Sequence, residues 1–249
     1  MQILFINPNT SHSFTERIQA VAQQYALPTT QIVALNPTSG PRSIESIYDE
    51  LLSSAGTLEL AIGQLDQFDA FVIACYSDHP TVYALREITE KPVLGIAEAS
   101  MYVACMLGSK FSVVTTNDEW EPLLWDAVRH YGLEKRCASV RTTGMAVLAL
   151  ESSEQDAFAL IQQAAQRAVV EDGAEVICLG CAGMAGLDKR LEETLGVPVL
   201  DGVVCALKLL EGLVGYGMHT SKRRAYARPV RKELVNLPEI FDKPYGNSS

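Results

Sequence analysis

The chain has 249 residues, 48% hydrophobic and 20% charged, long enough for one large or two small globular units with a core. A formal charge of −10 argues against nucleic acid as a partner, and no apolar run approaches the roughly 18–20 residues of a membrane helix. Six cysteines, mostly in apolar contexts such as those of Cys105 and Cys205, are no disulfide scaffold and suit a reducing, cytoplasmic location.

QILFI at 2–6 reads as a strand and not as part of a signal peptide, since no basic segment precedes it and no cleavage site follows. Further apolar, β-branched runs predict strands over 30–35, 69–75, 91–96, 110–115, 137–142, 174–180 and 197–202. Helical patterns fill the gaps over 12–26, 44–65, 80–89, 98–107, 119–131, 153–172, 184–195 and 203–216. Strands that alternate with helices, and that are apolar nearly throughout, predict buried parallel sheets.

Landmarks recur at one offset. Cys75 and Cys181 are 106 positions apart, as are Pro92 and Pro198, and as are the helix endings at 25–27 and 131–133. The pattern predicts an α/β fold of two pseudo-symmetric lobes, each a mainly parallel sheet flanked by helices, with the cleft between them at the carboxyl ends of the strands. Residues 1–96 make the first lobe, to which the last helix returns, and 97–215 make the second. The tail, 216–249, carries the basic stretch SKRRAYARPVRKEL at 221–234. It is either solvated or an arm packed on a lobe or a neighbouring subunit.

The strand ends facing that cleft carry polar residues. After the first strand, Asn7 and Asn9 offer amide donors and acceptors, and Thr10 or Ser11 can cap the next helix. Thr115 and Thr116 stand at the matching place in the second half, with Asp118 as a plausible N-cap. In the loop 40–46, Ser43 is read as the helix cap, Glu45 or Ser46 as facing the cleft, and Ser43 and Ile44 as substrate contacts. The loops CYSDHP and CAGM add Tyr76, Ser77, Ala182 and Gly183.

Each of these two loops begins with a cysteine just before a predicted helix, where backbone N–H groups and the dipole favour a thiolate over a thiol of ordinary pKa near ~8.5. The structural alternative is a small buried hydrophobe. Two cysteines at equivalent places in a duplicated fold favour chemistry. Cys178 and Cys181 form a Cys-x-x-Cys, but Cys178 lies inside a strand, which argues against a redox pair or a zinc site. His79 either tunes the nearby thiol, binds substrate, or sits on the surface at a helix start. His12, His130 and His219 show no partner pattern. The Gly-rich phosphate fingerprint is missing after the first strand, so no dinucleotide cofactor is expected.

The stretches INPNTS, IAC, KPVLGIAEA, SVVTT, LGCAGM and TSKRRAYA together resemble the aspartate/glutamate/hydantoin racemase superfamily over nearly the whole chain. INPNTS with GCAGM is similar to its hydantoin and allantoin racemase branch. Glutamate racemases show Cys-Asn-Thr and Cys-Thr-His where this chain has Cys75-Tyr76-Ser77 and Cys181-Ala182-Gly183, a departure that argues against a free amino acid as substrate. The resemblance implies a racemase without cofactor or metal, in which Cys75 and Cys181 serve opposite faces of a stereocentre as acid and base. Backbone N–H groups after the cysteines, with Asn7, Asn9, Thr115 and Thr116, are then the donors for an enolate. The implied substrate is a 5-substituted hydantoin and the implied assembly a homo-oligomer. Polar Ser77, Asp78 and His79 point to allantoin over hydantoins with apolar groups. The rival readings are an enzyme like arylmalonate decarboxylase or maleate isomerase, and a two-lobed small-ligand binding protein without chemistry.

Overall fold

The computed structural model describes residues 1–152 and 154–245. Ser153, where the helix 153–172 was expected to begin, and the last four residues of the tail lie outside the described residues. All eight expected strands form: β1 (Gln2–Ile6), β2 (Gln31–Leu35), β3 (Ala70–Ile73), β4 (Val93–Gly95), β5 (Phe111–Thr115), β6 (Cys137–Thr142), β7 (Val176–Leu179) and β8 (Val199–Leu200). They make two four-stranded sheets of order β2-β1-β3-β4 and β6-β5-β7-β8. Every pairing is parallel. The second sheet thus repeats the connectivity of the first, and its strands β6, β7 and β8 begin 106 residues after β2, β3 and β4.

β3 and β7 are buried at every position, as central parallel strands must be. Both stop earlier than their apolar runs. Ala74 N–H donates to Ile6 O (2.8 Å) and Gly180 N–H to Val114 O (2.7 Å), and after these last rungs the chain turns out of the sheet. Cys75 and Cys181 therefore stand two residues past the strands, at the same step of each lobe.

The helices are α1 (His12–Tyr25), α2 (Ile47–Gln64), α3 (Pro80–Ile88), α4 (Ile96–Leu107), α5 (Trp120–His130), α6 (Ala149–Ser152), α7 (Glu154–Val170), α8 (Asp188–Leu195) and α9 (Gly202–Gly215). Ser11 caps α1, accepting from Phe14 N–H. The expected start of α2 at residue 44 is corrected: Ser46, not Ser43, accepts from Asp49 N–H (3.2 Å), while Ser43 Oγ donates to Glu45 (2.8 Å). Asp118 does not cap α5; it accepts from the Thr142 hydroxyl. The helix expected from residue 184 begins only at Asp188, after a short 3₁₀ turn over Ala182–Met184.

Two helices tie the lobes together. α4 leaves β4 and packs on β5 and β7 as well, whereas α9 leaves β8 and packs on β3, β4 and α1. A single apolar cluster follows, joining Ile3, Phe5 and Val72 of the first sheet to Val113, Val176 and Cys178 of the second through Met101 and Leu207. The tail runs back over the first sheet's helices. Thr220 N–H donates to Glu90 O (2.7 Å), the Thr220 hydroxyl to Lys91 O (3.0 Å), and Lys243 pairs with Asp66 (2.8 Å).

Candidate active site

At the carboxyl ends of the two sheets lies a small cavity. Cys75 and Tyr76 line it from the first half, and Cys181, Ala182 and Gly183 from the second. Asn9, Ile44 and Thr116 complete the set of expected contacts that reach it. The sequence reading missed Phe14, Trp120, Val147, Ala74 and Gly180, which also line it. Phe14 and Trp120 are legible in retrospect, since each sits in the first turn of the helix that follows a cleft loop. Val147 lies in an irregular stretch with no signal.

Asn9 is oriented by its neighbours. Its Oδ1 accepts from Ser11 N–H (2.9 Å) and from the Asn7 amide (2.9 Å). Two fixed donors on one oxygen settle which end of the amide is which. Its NH2 group then has no protein partner among the described residues, and Asn9 lines the cavity. Asn7 itself is buried and bonded to Asn9 and Ser11; it builds the loop.

Several expected contacts do not reach the cavity. Thr10 donates to Pro41 O (3.2 Å) and Thr115 to Gly180 O (2.7 Å), both fastening loops. Ser43 is turned to Glu45. Ser77 is buried beside Cys75 and Glu50. His79 is neither a surface residue nor a cavity residue: it is fully buried, its Nδ1 accepts from Thr81 N–H (3.3 Å) to cap α3, and its Nε2 meets Ser53 Oγ (3.0 Å). Asp78 faces away, accepting from the hydroxyls of Tyr83 and Tyr131 and pairing with His130. His130, which carried no partner pattern in sequence, thus helps to join α5 to the first half.

The thiols differ from expectation in charge. α3 begins five residues beyond Cys75 and is capped by His79, so no helix terminus adjoins that thiol. Burial pushes both thiols up, and Glu50 pushes Cys75 further. For Cys181 burial and, less, Glu45 push the thiol up to about 11, against the backbone N–H of Gly183 and Arg17, which favour the anion. Holding it ionised at pH 7 costs about 5 kcal/mol. The glycines here are steric: a Cβ on Gly180 would lie 2.8 Å from Val114 O, and one on Gly183 2.8 Å from Leu150.

The duplicated parallel α/β fold, with its cavity between matching strand ends, is that of racemases and their relatives. A family model described as Asp/Glu/hydantoin racemase matches residues 3–210. The chain is 48% identical over 244 residues to a hydantoin racemase of Pseudomonas sp. (strain NS671), covering 98% of each. It superposes on the allantoin racemase from Klebsiella pneumoniae with a TM-score of 0.93 at 39% identity, covering 99% of this chain and 100% of that one. For the allantoin racemase from Pseudomonas fluorescens the TM-score is 0.90 at 44% identity, covering 95% and 100%. The chain belongs to the Asp/Glu/hydantoin racemase family and is an isomerase of the racemase type.

Proposed function

We propose that the protein racemises 5-substituted hydantoins, allantoin first among them, by passing the C5 proton between Cys75 and Cys181 without a cofactor. The observation that carries this reading is the pair of cysteines at matching steps past β3 and β7, lining one cavity from two lobes. Inverting a carbon acid needs a base on one face and an acid on the other. One cysteine as thiolate removes the C5 proton, and the other as thiol returns one to the opposite face; the roles exchange with direction. The enolate formed between them is spread over the ring carbonyl and nitrogen. The Asn9 amide NH2 is the side-chain donor that suits the carbonyl oxygen, and thiolates made strong bases by burial suit a weak carbon acid. A decarboxylase with one proton donor leaves one thiol without a task, and a binding protein leaves both.

Ser77, Asp78 and His79, whose polarity favours allantoin in the sequence, do not line the cavity. What supports it now is likeness to two allantoin racemases at 39% and 44% identity, together with the polar Asn9 and Thr116. A second reading, hydantoins with apolar substituents, is favoured by the walls of Phe14, Ile44, Trp120 and Val147. The same proposal takes in a division of the chain near residue 96 into duplicated lobes, assembly into a homo-oligomer and a cytoplasmic location. Among the described residues no helix is long and apolar enough to cross a membrane.

The test is proton NMR of one pure allantoin enantiomer in D2O, with circular dichroism alongside and an enzyme-free control. Loss of both the C5 proton signal and the optical signal faster than control supports the proposal. No change removes allantoin and passes the test to benzyl- and isopropylhydantoin. Silence with all three overturns the racemisation of hydantoins.

A further inference from the structure

Cys75 and Cys181 occupy matching positions, but their hydrogen-bond surroundings have opposite polarity. Beside Cys75 stands Ser77, whose Oγ lies 3.6 Å from the Cys75 sulfur. The same hydroxyl donates to Glu50 Oε1 at 2.5 Å, from the first turn of α2. A serine hydroxyl has one hydrogen and cannot give it to both. The half-buried carboxylate is the stronger claimant, because a charge-assisted bond is worth more than one to a neutral thiol. Ser77 then turns only lone pairs toward Cys75. Lone pairs suit an S–H donor and oppose a thiolate.

Cys181 has no such arm. It is followed directly by the 3₁₀ turn Ala182–Met184; the backbone N–H of Gly183 favours the anion of its sulfur, while that of Met184 donates to Cys181 O (3.0 Å). Donors of this kind suit a thiolate. Charges sharpen the contrast. Glu50 of α2 faces Cys75, with Asp78 beside Glu50, and Cys181 lies across the cavity. Glu45 also opposes an anion at Cys181, but there Arg17 of α1, whose guanidinium donates to Gly183 O at 2.7 Å, offsets part of it, and Cys75 has no such cation among its influences.

We propose that Glu50, acting through Ser77, is a positioning residue that holds Cys75 as the thiol in the free protein, making Cys75 the resting acid and Cys181 the resting base. The assignment of acid and base rests on the racemase reading; the control of the thiol does not. In the resting form the base removes the substrate proton, and Cys75 delivers its own to the opposite face. That leaves Cys75 as thiolate and Cys181 as thiol, and solvent protons must reset the pair before another turnover in the same direction. Racemisation has an equilibrium constant of one, so kcat/KM is equal in the two directions whatever the resting form. The inequality of the thiols is therefore carried by kcat and KM separately, and by the thiols themselves.

The thiols are read directly by alkylation with iodoacetamide at pH 8, resolved for each cysteine by peptide mass spectrometry in the substrate-free protein. Below its pKa a thiol reacts in proportion to its thiolate fraction. Glu50→Gln keeps the shape and an acceptor for Ser77 but loses the charge. The expected result is about tenfold faster alkylation of Cys75, as for removal of one nearby like charge, with Cys181 as an unchanged internal reference. An unchanged or slower Cys75 overturns the proposal. Ser77→Ala provides an independent arm. If Ser77 only accepts, its loss leaves the Cys75 rate unchanged or raises it; if Ser77 donates to the thiolate, its loss slows Cys75 severalfold, which also overturns the proposal. No substrate is present, so failure of racemisation and failure of this device are told apart.

Discussion

Cys75 and Cys181 bear the sharpest test at the scale of single residues. Replacing either with serine keeps size and fold but substitutes a hydroxyl, which is a much weaker acid. Racemisation by Cys75→Ser and by Cys181→Ser is expected to fall by about 10^2–10^4, the usual worth of a positioned acid or base. The far-ultraviolet circular dichroism should stay that of the unmodified protein. Each variant keeps one working base, so each should still wash deuterium into one enantiomer and not the other. Normal racemisation by both would remove the two-cysteine mechanism. These two residues were legible because duplication marks them twice. Their ionisation was not, because burial outweighs any neighbouring N–H donors, and burial is a property of the packed chain. Ser77 reads from sequence as a substrate contact, but it is buried beside Cys75 and Glu50 and does not line the cavity. Its partner Glu50 lies 27 residues upstream on another element, with nothing in the spacing to join them.

Helix ends and strand ends fix these residues. Gly180 lets the end of β7 pass β5 with no side chain between them. Gly180→Ala would press a methyl to 2.8 Å from the carbonyl oxygen of Val114, a backbone atom that cannot swing aside. A loss of about 1–3 kcal/mol in urea unfolding is expected, together with reduced activity, because Cys181 is the next residue.

His79 is the second case. Its burial lowers its pKa from the ordinary 6.5 to about 4. The unfolded chain then takes up the proton first, so the contribution is present in full above pH 6.5 and is lost as pH falls toward 4. Asp201, which caps α9, works in the opposite sense. Burial raises its pKa from 3.8 to about 6, so its contribution favours the fold at acid pH and is lost as pH rises through that window. A single pH profile of the unmodified protein mixes the two, and the variant His79→Asn separates them, since asparagine also caps helices well. Between pH 7 and pH 5 the unmodified protein should lose about 2 kcal/mol more stability than His79→Asn. Equal losses would show that His79 is protonated in the fold. Nothing in the spacing signals this burial, because a histidine before Pro80 reads equally well as a surface cap. Only Ser53, from the middle of α2, closes the other side of the ring.

Scaled up to the molecule, two sheets of like topology look separable, and the duplication at an offset of 106 residues invites that view. The exchange of α4 and α9 argues otherwise. Each helix grows from one sheet and covers part of the other, and the cluster containing Ile3, Phe5, Val113 and Cys178 is continuous across them. The strands were readable from apolar runs and the repeat from the recurring offset. The return of the last helix to the first lobe was readable from the sequence too; the reach of α4 over the second sheet was not, because an apolar helix face does not say which sheet it will cover. One cooperative transition follows, since neither lobe can unfold without exposing the shared core to water. The two tryptophans make this measurable, as Trp120 and Trp125 both lie on α5, in the second half. Phe71 lies in the first half, fully buried in a cluster of first-half residues with Leu4, Ile73 and Leu85. Phe71→Ala should cost about 3–5 kcal/mol and lower the melting temperature by roughly 10 °C for a chain of this size. The decisive point is the reporter. Tryptophan fluorescence, which sees only α5, should shift by the same amount as the far-ultraviolet signal, although the substitution touches no residue of the second sheet. A fluorescence transition that stays at the unmodified temperature while the far-ultraviolet signal splits in two would mean that the lobes melt independently, and that the cavity between them is a contact between two domains and not the interior of one.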